Sequence, residues 1–316
     1  IAITPNGSGA VQLDGLSWPT ADGTENQVLK TDGSGTLSWT TSSSGASNVN
    51  GLSDALIEDN SLYLGQDPSS TTSTAEYNLS VGATALDAVT TGDANIAIGH
   101  DALSANTTGS GNIAIGYGAY DNADTEGNNM AIGRDALGGS INGGETNIAI
   151  GNYSLDANTS GDLNIGLGYV ALTQNSTGSS NVGIGNSAMQ LNQTGSSNTT
   201  LGNNSMKSSL SSSYNTAVGA EALFDANRTA DTDGYNTALG YNAGNTGTND
   251  ITTGNKNTLL GASTAASAAA GTNQTIIGYG ASGVANNSVT IGNSDVTARY
   301  AGADNTADLG SSSVEF

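Results

Sequence analysis

The chain has 316 residues and a formal net charge of −22, with 6 Lys plus Arg against 28 Asp plus Glu. That balance disfavours nucleic acid and anionic membrane surfaces as partners, because both need clustered cations. No cysteine is present to form disulfides or thiolate metal sites, and a single histidine leaves His-based triads and His-rich metal sites without parts.

Taken from the N-terminus, residues 1–60 read as a β connector and linker. Trp18 and Trp39 bracket a Gly/Asp-rich turn region flanked by short strand-like runs. Residues 41–47 have linker composition, and 50–59 read as a helical turn or a cap on the repeat stack. A cap is expected there, since the bare end of such a stack is an edge open to aggregation. The chain opens on Ile1 and stops at Phe316 without an evident end, which reads as a piece of something longer. It shows no apolar run of membrane-spanning length and no secretory signal pattern, so no membrane insertion is expected.

Residues 61–299 are a repeat. Fourteen glycines from Gly65 to Gly292 recur at an interval of 17 residues in nine of thirteen gaps, the others being 18, 21, 21 and 14. Such a register means one structural unit stacked on itself. Residues 95–111 show the unit, Asn-Ile-Ala-Ile-Gly-x-x-Ala-Leu-x-x-Asn-Thr-Thr-Gly-x-x. The residue before each glycine is always aliphatic, as at Ile98 and Ile115, and this column is expected to be buried. Two residues earlier the same strand face carries aliphatics as far as Val182, then Thr199, Thr216, Thr237, Thr258 and Thr275. Alternation at i and i+2 is β-strand logic. The threonines predict a wetter stretch or a threonine ladder. Small residues between the two columns, such as Ala97 and Gly166, predict close approach by another layer or another chain. The Ala-Leu pair after the glycine reads as a second short strand or corner of the core, with no segment long enough for a helix.

Asn95, Asn112, Asn164 and Asn236 belong to a near-continuous asparagine column four residues before the glycine. Stacked at ~4.8 Å, such amides can bond up and down the stack. Gly99, Gly116, Gly168 and Gly240 are expected to adopt a backbone conformation that a Cβ would forbid. The expected fold is all-β, a repetitive parallel β-solenoid or β-roll of about fourteen coils of about 17 residues, roughly 60 Å long. Each coil offers few aliphatic side chains and almost no large aromatics. Burial by self-association is the remedy for so thin a core.

Candidate functional residues are sparse. The column after the glycine holds His100, Tyr117, Tyr169, Tyr241 and Tyr279 among asparagines, an exposed stripe whose tyrosines can stack on sugars. These tyrosines are the receptor-binding candidates. Asp225, Asp231 and Asp233 crowd a loop with Arg228 and are a weak calcium candidate, since their order misses an EF-hand. No catalytic residues, nucleotide-binding signature or cofactor motif stands out, and a non-enzyme is expected. Residues 300–316 read as the start of a C-terminal connector.

The Asn-Ile-Ala-Ile-Gly unit resembles the left-handed β-roll heads of trimeric autotransporter adhesins. It is more closely similar to the repeat shafts of phage tail-fibre proteins, where units like Asn-Thr-Ala-Leu-Gly-Tyr-Asn-Ala at 236–243 alternate with Asn-Thr-Thr-Gly turns. Residues 19–40 resemble a segment of marine-phage tail fibres, and 300–316 resemble the approach to their C-terminal regions. The 17-residue period is longer than that of the adhesin repeat. The resemblance implies a homotrimeric structural protein of the virion that presents a surface for host-cell attachment. Its partners would be other virion or tail proteins and a host surface glycan or protein. A bacterial trimeric adhesin at the cell surface is the alternative. A glycan-degrading tailspike and an ice-binding Thr/Asn face are the further ones.

Overall fold

A computed structural model of the chain describes residues 12–13, 16–25, 27–41, 55–65, 72–140, 142–226 and 234–296. Regular structure among them is entirely β, and the chain divides into two compact units, 1–53 and 54–316.

In the first unit, β1 (Gln12–Leu13) pairs antiparallel with β2 (Leu16–Ser17), and β3 (Gln27–Thr31) forms a hairpin with β4 (Leu37–Thr41). The Asp32 carboxylate organises the hairpin turn by accepting the backbone N–H groups of Ser34 at 2.8 Å and Thr36 at 3.0 Å. Those bonds hold its carboxyl down at about 2, against an ordinary 3.8. The Trp39 indole N–H donates to the Ala21 carbonyl at 2.7 Å, and the ring lies 2.7 Å from where a Cβ on Gly23 would stand. The glycine is what lets the ring close over the turn.

The second unit is one fifteen-stranded sheet. It opens with an antiparallel hairpin of β5 (Ala55–Glu58) and β6 (Ser61–Leu64). Thirteen three-residue strands come next, from β7 (Leu79–Val81) and β8 (Ile96–Ile98) to β19 (Val289–Ile291). β6 to β19 are all parallel and in register, so that Ile96, Ala97 and Ile98 face Ile113, Ala114 and Ile115. This is a β-solenoid of about thirteen turns. Of the segment 50–59, residues 55–58 form β5 rather than a helical turn, and 50–54 lie outside the described residues. β5 runs against the stack, so the parallel sheet does not continue past it.

The strands bury the opposite face from the one expected. Ala97, Ala114, Ala131 and Ala149, the middle residues, are fully buried. The flanking aliphatics, Ile98 and Ile115 included, are only half-buried, and Leu201 is 49% exposed. Alternation separates two faces but does not say which is inside. Here the interior is filled from the opposite wall by the corner leucines. The Leu172 side chain comes within 3.1 Å of where a Cβ on Gly183 would be, and Leu155 within 3.3 Å of one on Gly166. The other layer expected against the small column is therefore the far wall of the same solenoid, the corner of the preceding coil. The Ala-Leu pair forms a turn, not a second strand, and its leucines are buried with φ near +53°, as at Leu103.

Each level thus seats one large side chain against one small one, as dense packing requires. Further along, the large member changes walls: buried Leu259 and Ile276 stand in the strand, and Gly244 and Ala265 stand at the corner. A reciprocal exchange tests this. Gly183→Leu is expected to overpack by about 1–3 kcal/mol, and Leu172→Gly to cost about 3–5 kcal/mol through its cavity. The double variant copies the Gly244–Leu259 arrangement and should regain at least ~2 kcal/mol over the sum of the singles in denaturant unfolding.

The glycine column sets the spacing between coils. Gly116 has φ +141°, and a Cβ there would sit 2.5 Å from the Gly133 carbonyl oxygen. The outward threonine rank is exposed or half-buried, and its hydroxyls do not bond to one another. It is a wetter stretch rather than a ladder.

Candidate functional site

The asparagines form the polar spine of the solenoid. The Asn112 backbone N–H donates to the Asn95 Oδ1 at 2.9 Å, and the Asn95 Nδ2 donates onward to the Gly109 carbonyl at 2.9 Å. The pattern repeats with every member of the column buried. From Asn164 onward most amides also meet directly, as from Asn164 Nδ2 to Asn147 Oδ1 and from Asn236 Nδ2 to Asn215 Oδ1, both at 3.1 Å.

A second buried spine, Asn106, Asn158, Asn175 and Asn192, was not distinguished from turn composition in the sequence. Asn175 Nδ2 donates to Asn158 Oδ1 at 3.1 Å, and Asn192 Nδ2 to Asn175 Oδ1 at 2.6 Å. Its signal was the Asn opening each Asn-x-Ser/Thr-Gly turn, at 106–109, 158–161, 175–178 and 192–195. Ala123 replaces it in one coil, and there the corner leucine becomes Tyr120, whose buried hydroxyl accepts from Asn129 Nδ2. Burial pushes that phenol well above its ordinary value.

Two surfaces can meet other molecules. One is the outer face of the sheet, two ranks of side chains along fourteen parallel strands. They are aliphatic throughout, with one methionine, except for the five threonines. The other is the ridge after the glycines. His100 stacks on Tyr117 at 5.4 Å, and the Arg134 guanidinium lies 5.5 Å from the Tyr117 ring centre and 5.9 Å from that of Tyr153. Tyr153 meets Tyr169 edge-on at 6.3 Å. Tyr117 therefore has a neighbour towards each adjacent coil, while its side chain remains 54% exposed. Tyr241 and Tyr279 have small column neighbours, Ala220, Ala262 and Asn293, and are 57% and 75% exposed. Of the acidic loop only Asp225 is described; Arg228, Asp231 and Asp233 lie outside the described residues. Among the described residues, no three His, Cys, Asp or Glu side chains converge as metal ligands.

Three half-buried carboxyls line one corner. Desolvation raises Asp87, Asp121 and Asp156 above the ordinary 3.8, with repulsion from Asp101 at the first, Asp135 and Asp101 at the second, and Asp135 at the third. A carboxyl raised on folding destabilises while ionised, and that cost disappears as pH falls through the folded value. The repeat unit is therefore expected to melt at higher temperature as pH drops from neutral towards, but not below, 3.8. Asp32 has the opposite sign: its contribution to the hairpin is present above 3.8 and lost as pH falls towards about 2. Melting followed against pH, with Asp121→Asn abolishing part of the gain, checks the first; amide exchange in the hairpin checks the second.

No protein family, no curated protein and no solved structure matches the chain.

Proposed function

We propose that the chain is the repetitive shaft or head of a homotrimeric virion fibre, a phage tail fibre that carries a surface for host-cell attachment and catalyses no reaction. One observation carries the reading: the sheet turns its aliphatic ranks outward along its whole length. A stripe about 60 Å long and three residues wide amounts to roughly 600 Å² per copy, near the ~800 Å² per partner of a stable interface. A free monomer rarely exposes so long an apolar patch. The surface that matches its ~4.8 Å repeat level for level is another copy of the same sheet. Association would bury the face that the coil itself leaves open, and acidic charge elsewhere would keep finished rods apart. Extracellular placement on the virion and contacts with other tail proteins follow from this reading. The resemblance of residues 19–40 to tail-fibre sequences favours it over a bacterial adhesin. Light scattering on the 316-residue chain, with circular dichroism, tests it. A β-rich species of about three times the chain mass is expected, and a folded monomer overturns the assembly.

A further inference from the structure

We propose that the two ridges flanking the sheet belong to the contact between copies, the ridge before the strand in one copy packing against the ridge after the glycine in the next. This rests on the fibre reading and defines the surface that its copies share. The residues from five before each column glycine to one after it form a window that recurs fourteen times, as at 94–100 and 163–169, and none of the 28 Asp plus Glu falls in any of them. Acids stop at its borders. Asp93, Glu145 and Asp162 stand one residue before it, and Asp101, Asp135 and Glu221 one residue after. Strand and spine positions exclude carboxylates for the sake of the coil, but the two end columns have no such reason. Among the described residues the first, which holds Ala94 and Ser197, is exposed at every coil, and the second, which holds Tyr117 and Asn203, is exposed or half-buried.

Exposed apolar side chains keep to the same borders. Among the described residues from Tyr77 to Tyr279, every large one falls inside a window, as Tyr77 and Leu163 do before the strand, Leu201 within it and Tyr241 after it. A surface free of acid, edged by acid and rich in tyrosine has the composition of a protein interface core. Counting both ridges about doubles the stripe, to roughly 1,200 Å² per copy, past the ~800 Å² per partner of a stable interface. Symmetry selects which ridges meet. In a closed ring of parallel copies each one turns opposite flanks to its two neighbours, and a given coil keeps one height in all of them. The side chains facing across the joint are then the two ends of one window. Several such ends are matched in size: Tyr77 with Ala83, Gly111 with Tyr117, and Tyr214 with Ala220. Within a chain the strand separates them, so the matching has no use inside a coil. At Leu163 with Tyr169 and Tyr235 with Tyr241 both ends are large, and the ridges must interleave or part there.

The chain has no cysteine of its own, so introduced thiols report the contact directly. Ser197→Cys with Asn203→Cys sets one thiol on each ridge of a single coil, both at exposed positions on opposite sides of the strand. Solution mass and circular dichroism are measured first, then a short bis-maleimide is added and the products are separated by denaturing electrophoresis. The double variant is expected to give covalent trimers, and each single variant only single chains. Ser180→Cys with Asn186→Cys repeats the test one coil away and serves if the first pair does not fold. Folded trimers that yield no covalent trimer from either pair overturn the ridge contact and leave the fibre reading standing. Covalent dimers from either single variant overturn it too, because like ridges meet only when the stacks run antiparallel. A folded monomer with no covalent species overturns the assembly and the contact together.

Discussion

Ile113→Asp combined with Ile148→Asp is expected to yield a folded monomer: the solution mass drops to that of one chain while the β-rich circular dichroism remains. Both side chains project from the outer face of the sheet and are half-buried in the isolated chain. Within one chain the change adds two solvated carboxylates to a strand surface, at a propensity cost of about 1 kcal/mol or less each. In the proposed assembly the same carboxylates would lose their water and face one another, at several kcal/mol per ion. The two effects differ enough that assembly should fail while the coil survives. Ala114 is the internal contrast. It lies between Ile113 and Ile115 on the strand but points inward and is fully buried. Ala114→Asp should unfold the surrounding coils, because a charge in that position has neither space nor a partner. A double variant that keeps its assembled mass would show that the apolar face is not where copies meet.

Asn164→Leu is expected to be among the most destabilising single substitutions in the repeat. Asn164 Oδ1 accepts the Asn181 backbone N–H at 3.0 Å, and Nδ2 donates to the Gly178 carbonyl at 2.8 Å and to Asn147 Oδ1 at 3.1 Å. Leucine fills a similar volume but strands a buried N–H and a buried carbonyl, each worth about 1–3 kcal/mol. The expected loss is about 3–5 kcal/mol in denaturant unfolding. In a stack where each coil touches only its neighbours, amide exchange should speed up first in the coils on either side. Asn164→Asp separates the two bonds. The carboxylate still accepts from Asn181 but cannot donate to Gly178, and its burial would raise its pKa above 3.8. The aspartate variant should therefore be markedly unstable at neutral pH and regain stability as pH falls through that raised value, when the protonated acid can donate again. The leucine variant should show no such recovery beyond that of the parent chain.

The strand positions were legible because a glycine stands after every one of them. Even the short final interval, Gly278 to Gly292, marks a strand correctly. The inward face was not legible. Isoleucine usually points to a core, and Ile98 misleads because the coil is too narrow to hold it beside Leu103. The cue lay in pairing each small strand residue with the large corner residue of the coil before it, a relation across coils that a column-by-column reading does not compare. The second asparagine spine was hidden for another reason: Asn opening an Asn-x-Ser/Thr-Gly turn is ordinary turn chemistry, and only burial distinguishes Asn175 from a surface residue. At the ridge, the tyrosines lie at the surface as expected. Which of them have open ring faces depends on the residue one coil away, His100 and Arg134 for Tyr117, Ala220 and Ala262 for Tyr241.

The asparagine spine points one way. Asn112 donates back to Asn95, Asn257 back to Asn236, and Gln274 back to Asn257 at 3.0 Å. The first acceptor is the Ser61 hydroxyl, which takes the Asn78 N–H at 2.9 Å. At the far end Gln274 bends its amide onto Ser267, donating to the hydroxyl at 2.8 Å and accepting the N–H at 3.0 Å, and the chain of bonds closes on itself. Each coil therefore offers its successor a finished acceptor and asks its predecessor for one. Such an arrow makes the two ends chemically unlike, so that end-to-end joining is confined to head-to-tail. In chain order each Oδ1 acceptor also comes before the backbone N–H that uses it, whereas each Nδ2 takes its carbonyl from the turn that follows, as Asn95 does from Gly109.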